Sequence, residues 1–169
     1  MTVIAATGHR PEKLGGYAPQ VGLALGGLAT EYLSRARPDK VISGMALGWD
    51  QAVAAACVAL GIPFTAAVPF EGQDSRWPAE SRARYRRLLA CAKHVEIVTP
   101  GEVIGRAADR AMQVRNEWMV DRAHRMVALW DGSWGGTFNC IAYARQKDVP
   151  IDNLWARWTL PEDLRELLK

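Results

Sequence analysis

An α/β fold with a mainly parallel sheet is predicted by three features of this 169-residue chain. Short apolar runs recur along it, at residues 3–6, 41–43, 64–68, 94–98 and 126–130. They lack the alternation of a sheet wetted on one face, as expected of parallel strands covered on both sides. Helix-like segments lie between them, and three of the runs lead, directly or after a few residues, through a small-residue loop into such a segment. Regular alternation of this kind gives a three-layer, Rossmann-like sandwich with a sheet of five to six strands.

The first strand, Val3-Ile4-Ala5-Ala6, runs into the loop Thr7-Gly8-His9-Arg10-Pro11, and a helix follows at about residues 19–35. The second strand ends in Ser43-Gly44-Met45-Ala46-Leu47-Gly48-Trp49-Asp50, and its helix, about 50–60, is closed by Gly61 ahead of Ile62-Pro63, the usual glycine-then-proline stop. After the third strand, Pro78 and a charged run containing Arg82, Arg84, Arg86 and Arg87 open a helix at about 79–92. The fourth strand leads to a long loop, residues 99–112, whose Gly101, Gly105 and alternating charges suit a mobile lid. A helix is expected at about 113–123, the fifth strand next, and then Asp131-Gly132-Ser133-Trp134-Gly135-Gly136-Thr137 before a helix at about 137–147. Val149-Pro150-Ile151 reads as a last edge strand, and a polar helix is expected at about 161–168.

The length suits one core, so residues 1–169 are expected to form a single domain. An apolar share of 49% with 23% charged residues is that of an ordinary soluble protein. A formal charge of +3 suits an acidic ligand and is too small to argue for DNA across a whole face. Cys57, Cys91 and Cys140 are odd in number and widely spaced, which argues against a disulfide framework or a zinc site. With no basic leader and no membrane-length apolar stretch, the expectation is a cytoplasmic protein with reduced core cysteines, no membrane partner and no cofactor. The sequence leaves a homodimer or higher homo-oligomer open.

Strand, small-residue turn and helix together aim backbone N–H groups and a positive helix end at an anion. Three such loops point to a nucleotide or another phosphorylated ligand at the carboxyl edge of the sheet. Gly44 and Gly48 would let main chain approach a phosphate. Asp50 would cap its helix, reach ribose hydroxyls or bind backbone amides. Arg10 suits a two-pronged anion contact, and His9 is an acid–base candidate or a plain hydrogen-bonding group. Trp49 and Trp134 are candidates for stacking on a base. The arginine run is read as a solvated face rather than a nucleic-acid patch.

Ser43, Gly44, Ala46, Gly48, Asp50 and Ala52 form Ser-Gly-x-Ala-x-Gly-x-Asp-x-Ala, which resembles the loop of the SLOG superfamily, named after its Smf/DprA and LOG branches. The opening from Thr7 to Tyr17, with Pro69-Phe70, Trp77, Tyr85 and Arg115-Asn116, is similar to the YpsA-like branch. Met112-x-x-Arg115 and Gly135-Gly136-Thr137 resemble elements of LOG-type phosphoribohydrolases. The likeness spans roughly residues 3–150 and implies a Rossmann-like sheet binding nucleotides or their derivatives at its strand ends. In LOG enzymes that site hydrolyses an N-glycosidic bond of a nucleoside monophosphate; in DprA-like proteins it binds single-stranded DNA.

One departure matters. LOG enzymes carry an acidic pair after Gly-Thr, and here Phe138, Asn139 and Cys140 follow Thr137. Asn139 cannot take a proton or offset charge on a reacting ribose, so hydrolysis does not carry over; Glu117 and Asp131 are the substitute carboxylates to consider. The expectation is a binder of a nucleotide-derived small molecule held by Gly8, His9, Arg10, Ser43, Gly44, Met45, Gly48, Asp50, Arg115, Asn116, Trp134, Gly135, Gly136 and Thr137. A phosphoribohydrolase and a single-stranded DNA binder are the alternatives, the latter disfavoured by the modest charge.

Overall fold

The computed structural model describes residues 1–158 and Glu166; apart from Glu166, the helix expected at 161–168 lies outside the described residues. In chain order the elements are β1 (Val3–Gly8), α1 (Pro19–Ala36), β2 (Lys40–Ser43), α2 (Trp49–Leu60), β3 (Phe64–Val68), α3 (Ala79–Cys91), β4 (His94–Ile97), α4 (Arg106–Val120), β5 (Arg125–Leu129), α5 (Gly136–Gln146) and β6 (Ile151–Asn153). The six strands form one sheet in the order β4-β3-β2-β1-β5-β6, every neighbouring pair parallel. This is the Rossmann-like sandwich that the alternating pattern predicts.

Successive strand side chains point to opposite faces, and β1 divides its residues accordingly. Ile4 and Ala6 pack with α1, α2 and α3 through Leu25, Leu33, Val53, Cys57 and Tyr85. Val3 and Ala5 pack on the other face with Met119 and Val120 of α4 and Cys140 and Ala144 of α5. The apolar runs are continuous because both faces are covered. Edge strand β4 departs from that pattern, with His94 and Val95 exposed. Cys57 and Cys140 are buried in the core, whereas Cys91 is exposed, contrary to the expectation of three core cysteines.

The segment expected to be a lid is shortened by α4, which starts at Arg106 rather than near 113. Arg115 and Asn116 therefore sit inside a helix and not at its start. Trp49, a candidate stacking residue, is fully buried in the core. No helix among the described residues is long and apolar enough to cross a membrane. Among the same residues no group of three or more His, Cys, Asp or Glu is placed to hold a metal ion.

Candidate functional site

From β1 the sheet grows outward through β2, β3 and β4 on one side and β5 and β6 on the other. The order reverses between β1 and β5, and loops leaving two such strands diverge to open a crevice at their carboxyl ends. A cleft of about 600 Å³ lies there, lined by the loops after β1 and β5, by Ala46 and Asp50, by α4 and by the start of α5. Of the residues expected to bind, it brings together Gly8, His9, Arg10, Asp50, Arg115, Asn116, Trp134, Gly135, Gly136 and Thr137.

Ser43, Gly44, Met45 and Gly48 do not line the cleft; they build the frame beneath it. The Ser43 hydroxyl donates to Asp50 O (2.8 Å) and accepts from the Met45 amide (3.2 Å). Gln51 Nε2 donates to Met45 O (3.1 Å), so the beginning of the loop is tied to α2 twice. Met45 is buried and held at φ +61°, a left-handed conformation costly for a side chain of this kind. Gly48, at φ +92°, lies so close to β1's loop that a Cβ there would come 2.5 Å from His9 O. Gly8 likewise makes room for Trp49, and Gly44 for Arg115. These glycines are explained by packing within the protein.

Arg115 crosses beneath the cleft from α4. Its Nη1 donates to Gly44 O and to Ala67 O (3.2 Å), and its Nε to Asn116 Oδ1 (3.2 Å). Among the described residues Nη2 has only the Met112 sulfur, at 3.7 Å. The guanidinium thus pins the β2–α2 loop to β3 and keeps one nitrogen for anything bound above it. Asp50 lies beside it, buried at 4% exposure. Burial raises the Asp50 carboxyl to about 6, against the pull of Arg115, the Ala46 amide and Arg10. Among the described residues its Oδ1 has no hydrogen-bond partner.

Across the cleft, α5 begins at Gly136 with Gly135 as its cap and no side chain closing the end. The first amides of a helix have no acceptor within it, and Gly136 and Thr137, which carry two of them, line the cleft. A Cβ on Gly136 would meet nothing within 4 Å. Its lack of a side chain is not explained by packing, unlike that of Gly48. Trp134 stands at the lip, 81% exposed, its ring 4.3 Å from that of Phe138.

The two loops are clamped at the mouth. His9 Nε2 lies 2.7 Å from Asp131 Oδ1, and Lys13 Nζ and the Asp131 carboxylate both meet the Ser133 hydroxyl. The Ser133 hydroxyl and amide, with His9, hold the Asp131 carboxyl well below the usual range. Asp131 is therefore committed to the clamp, and Glu117 accepts from Gln113 Nε2 at 3.2 Å. Neither lines the cleft, so the two substitute carboxylates are not where the sequence reading would need them. Sequence reasoning missed Glu12, Lys13, Asp109, Met112, Gln113 and Asn139 as lining residues. Lys13, Met112 and Asn139 lay within or beside the motifs, whereas Asp109 was hidden by reading the start of α4 as loop.

Fold and cleft together define a Rossmann-like α/β protein with an open crevice at the carboxyl ends of its central strands. No family model matches the chain. It belongs to the family of the SPbeta prophage-derived protein YoqJ of Bacillus subtilis, to which it is 36% identical over 129 residues, 69% of this chain and 75% of that protein. It is also 29% identical over 99 residues to UPF0398 protein BH1768 of Halalkalibacterium halodurans, 57% of this chain and 49% of that protein. UPF0398 protein OB1025 of Oceanobacillus iheyensis is 23% identical over 104 residues, 60% of this chain and 52% of that protein. The chain thus spans about half the length of the two UPF0398 relatives. DNA processing protein A (DprA) of Streptococcus pneumoniae shares the fold, with a TM-score of 0.64 at 15% identity, over 99% of this chain and 56% of that one. So does DprA of Helicobacter pylori, a single-stranded DNA binder, with a TM-score of 0.57 at 15% identity, over 99% of this chain and 80% of that one.

Proposed function

We propose that the protein binds a nucleotide or nucleotide-derived small molecule in the cleft between β1 and β5, and that it is of the YpsA-like type. The observation that carries this reading is the start of α5, which has no side-chain cap and where a Cβ on Gly136 would meet no atom of the described residues within 4 Å. A helix end with outward amides favours a phosphate. Arg10, whose side chain makes no hydrogen bond or ion pair among the described residues, lines the same cleft with Lys13. They supply positive charge from the facing loop. Trp134 at the lip offers an exposed ring on which a base can stack, a contact worth about 1–3 kcal/mol in nucleic-acid complexes.

Hydrolysis is not part of the proposal, because Phe138-Asn139-Cys140 replaces the acidic pair and neither Glu117 nor Asp131 lines the cleft. A second reading, single-stranded DNA binding, is favoured by the DprA likeness and by the exposed Arg84, Arg86 and Arg87 on α3.

Calorimetric titration with nucleoside 5′-monophosphates and the matching nucleosides tests the proposal. Monophosphates are expected to bind at least about tenfold more tightly, one hydrogen bond to a charged group's worth. Equal affinity would remove the phosphate site. Tighter binding of an oligodeoxynucleotide with steep salt dependence would favour the second reading, and release of free base from the same mixtures would make the protein a hydrolase.

A further inference from the structure

Asp50 is not needed to hold a phosphate, and its charge opposes one. It nevertheless lines the cleft while 4% exposed, and its two oxygens have different surroundings. Oδ2 is turned toward Gly44, on the side of Arg115: a Cβ on Gly44 would lie 2.9 Å from Oδ2 and 2.5 Å from Arg115 Nη1. Oδ1 has no partner among the described residues. A buried acceptor left unpaired costs about 1–3 kcal/mol, and more when charged, so the position calls for a donor that the described residues do not supply.

Gln113 repeats the pattern on α4. Its Nε2 is committed to Glu117 Oε1 at 3.2 Å, which fixes which end of the amide is oxygen. Gln113 Oε1 is buried and unpartnered among the described residues, and the residue lines the same cleft. The cleft therefore offers donors and positive charge at α5 and the β1 loop, and unpaired acceptors at Asp50 and Gln113. A molecule that satisfies both has a phosphate at one place and hydrogen-bond donors at another. The donor at Asp50 is neutral rather than cationic, because Arg115 and Arg10 already act on that carboxylate from nearby and a third positive charge would be repelled by both. A hydroxyl fits.

We propose that Asp50 Oδ1 accepts a hydrogen bond from the 2′- or 3′-hydroxyl of the ligand's sugar, so that the cleft selects ligands in which that hydroxyl is free. This rests on the nucleotide-binding reading above and narrows it. It also separates the ligand from DNA, since an internal nucleotide of a DNA strand has neither its 2′- nor its 3′-hydroxyl free.

The probes are the ribonucleoside 5′-monophosphates, their 2′-deoxy and 3′-deoxy counterparts, and the matching nucleosides, titrated against the wild-type protein and Asp50→Asn. Loss of one of the two hydroxyls is expected to weaken binding by about tenfold to a hundredfold, the range for a hydrogen bond to a charged group. In Asp50→Asn that gap narrows while affinity for the deoxy-analogue holds within about threefold, the pattern of a coupled pair. Equal binding of the ribo and both deoxy forms by the wild-type protein overturns the inference, as does an Asp50→Asn variant that weakens all of them alike. The nucleosides keep the two readings apart: a hydroxyl preference without any gain from phosphate would sink the phosphate cradle and leave the Asp50 contact standing.

Discussion

Gly48 and Gly136 both mark the start of a helix after a strand, yet different surroundings keep them small. Gly48 faces the His9 carbonyl at a distance no Cβ tolerates and holds φ at +92°. Gly48→Ala is expected to cost about 1–3 kcal/mol of stability by overpacking alone, read by urea denaturation. Gly136→Ala meets no protein atom, so stability should stay level or rise by less than about 1 kcal/mol, while affinity for a nucleoside monophosphate falls. The loops themselves were legible in the sequence as small-residue turns. Which glycine packs and which faces open space was not, because that depends on a carbonyl from another loop, about forty residues away in the chain.

Asp50 carries a pH prediction at the same scale. Its carboxyl titrates at about 6 in the fold against 3.8 as its ordinary value. Between about pH 4 and 6 the folded protein keeps a proton that the unfolded chain has lost, so this group makes stability fall as pH rises through that window. Below it the effect is absent, and above pH 6 the full cost, on the order of 3 kcal/mol, is in place. Melting temperatures of the wild type and Asp50→Asn, compared from pH 4 to 7, should diverge with rising pH in favour of the variant. Parallel curves would show that Asp50 titrates normally.

At the scale of elements, α4 shows how much of the site is concealed by sequence pattern. Its first turns, Arg106-Ala107-Ala108-Asp109-Arg110, are largely exposed, so no apolar periodicity announces them. The helix nevertheless carries Asp109, Met112, Gln113 and Arg115 into the lining of the cleft. The Met-x-x-Arg spacing did mark Arg115, but a motif cannot tell a ligand contact from a staple between two carbonyls. Arg115→Ala leaves Gly44 O and Ala67 O without this donor and removes the largest opposing charge near Asp50. The expected loss is about 1–3 kcal/mol, as for a buried acceptor left without its donor, measured by denaturation without ligand. Unchanged stability would mean that Arg115 serves a bound anion alone.

At the scale of the molecule, alternating apolar runs and helical segments were enough for the sandwich, its parallel sheet and its strand count. Strand order was not legible, because it depends on which face each connecting helix packs against. Both cores draw on the same short strands, Ile4 and Ala6 on one side and Val3 and Ala5 on the other. The order sets the reversal between β1 and β5, and that reversal brings Arg10, Lys13, Asp50 and the start of α5 around one cleft. The central claim is that this cleft takes the phosphate of a nucleotide on the first amides of α5. It is tested most directly by following backbone amide resonances during titration with a nucleoside 5′-monophosphate and with its nucleoside. The account predicts that the monophosphate shifts Gly136 and Thr137 most strongly and that the nucleoside leaves them nearly unmoved. Shifts concentrated on α3, or equal at Gly136 and Thr137 for both compounds, would contradict it.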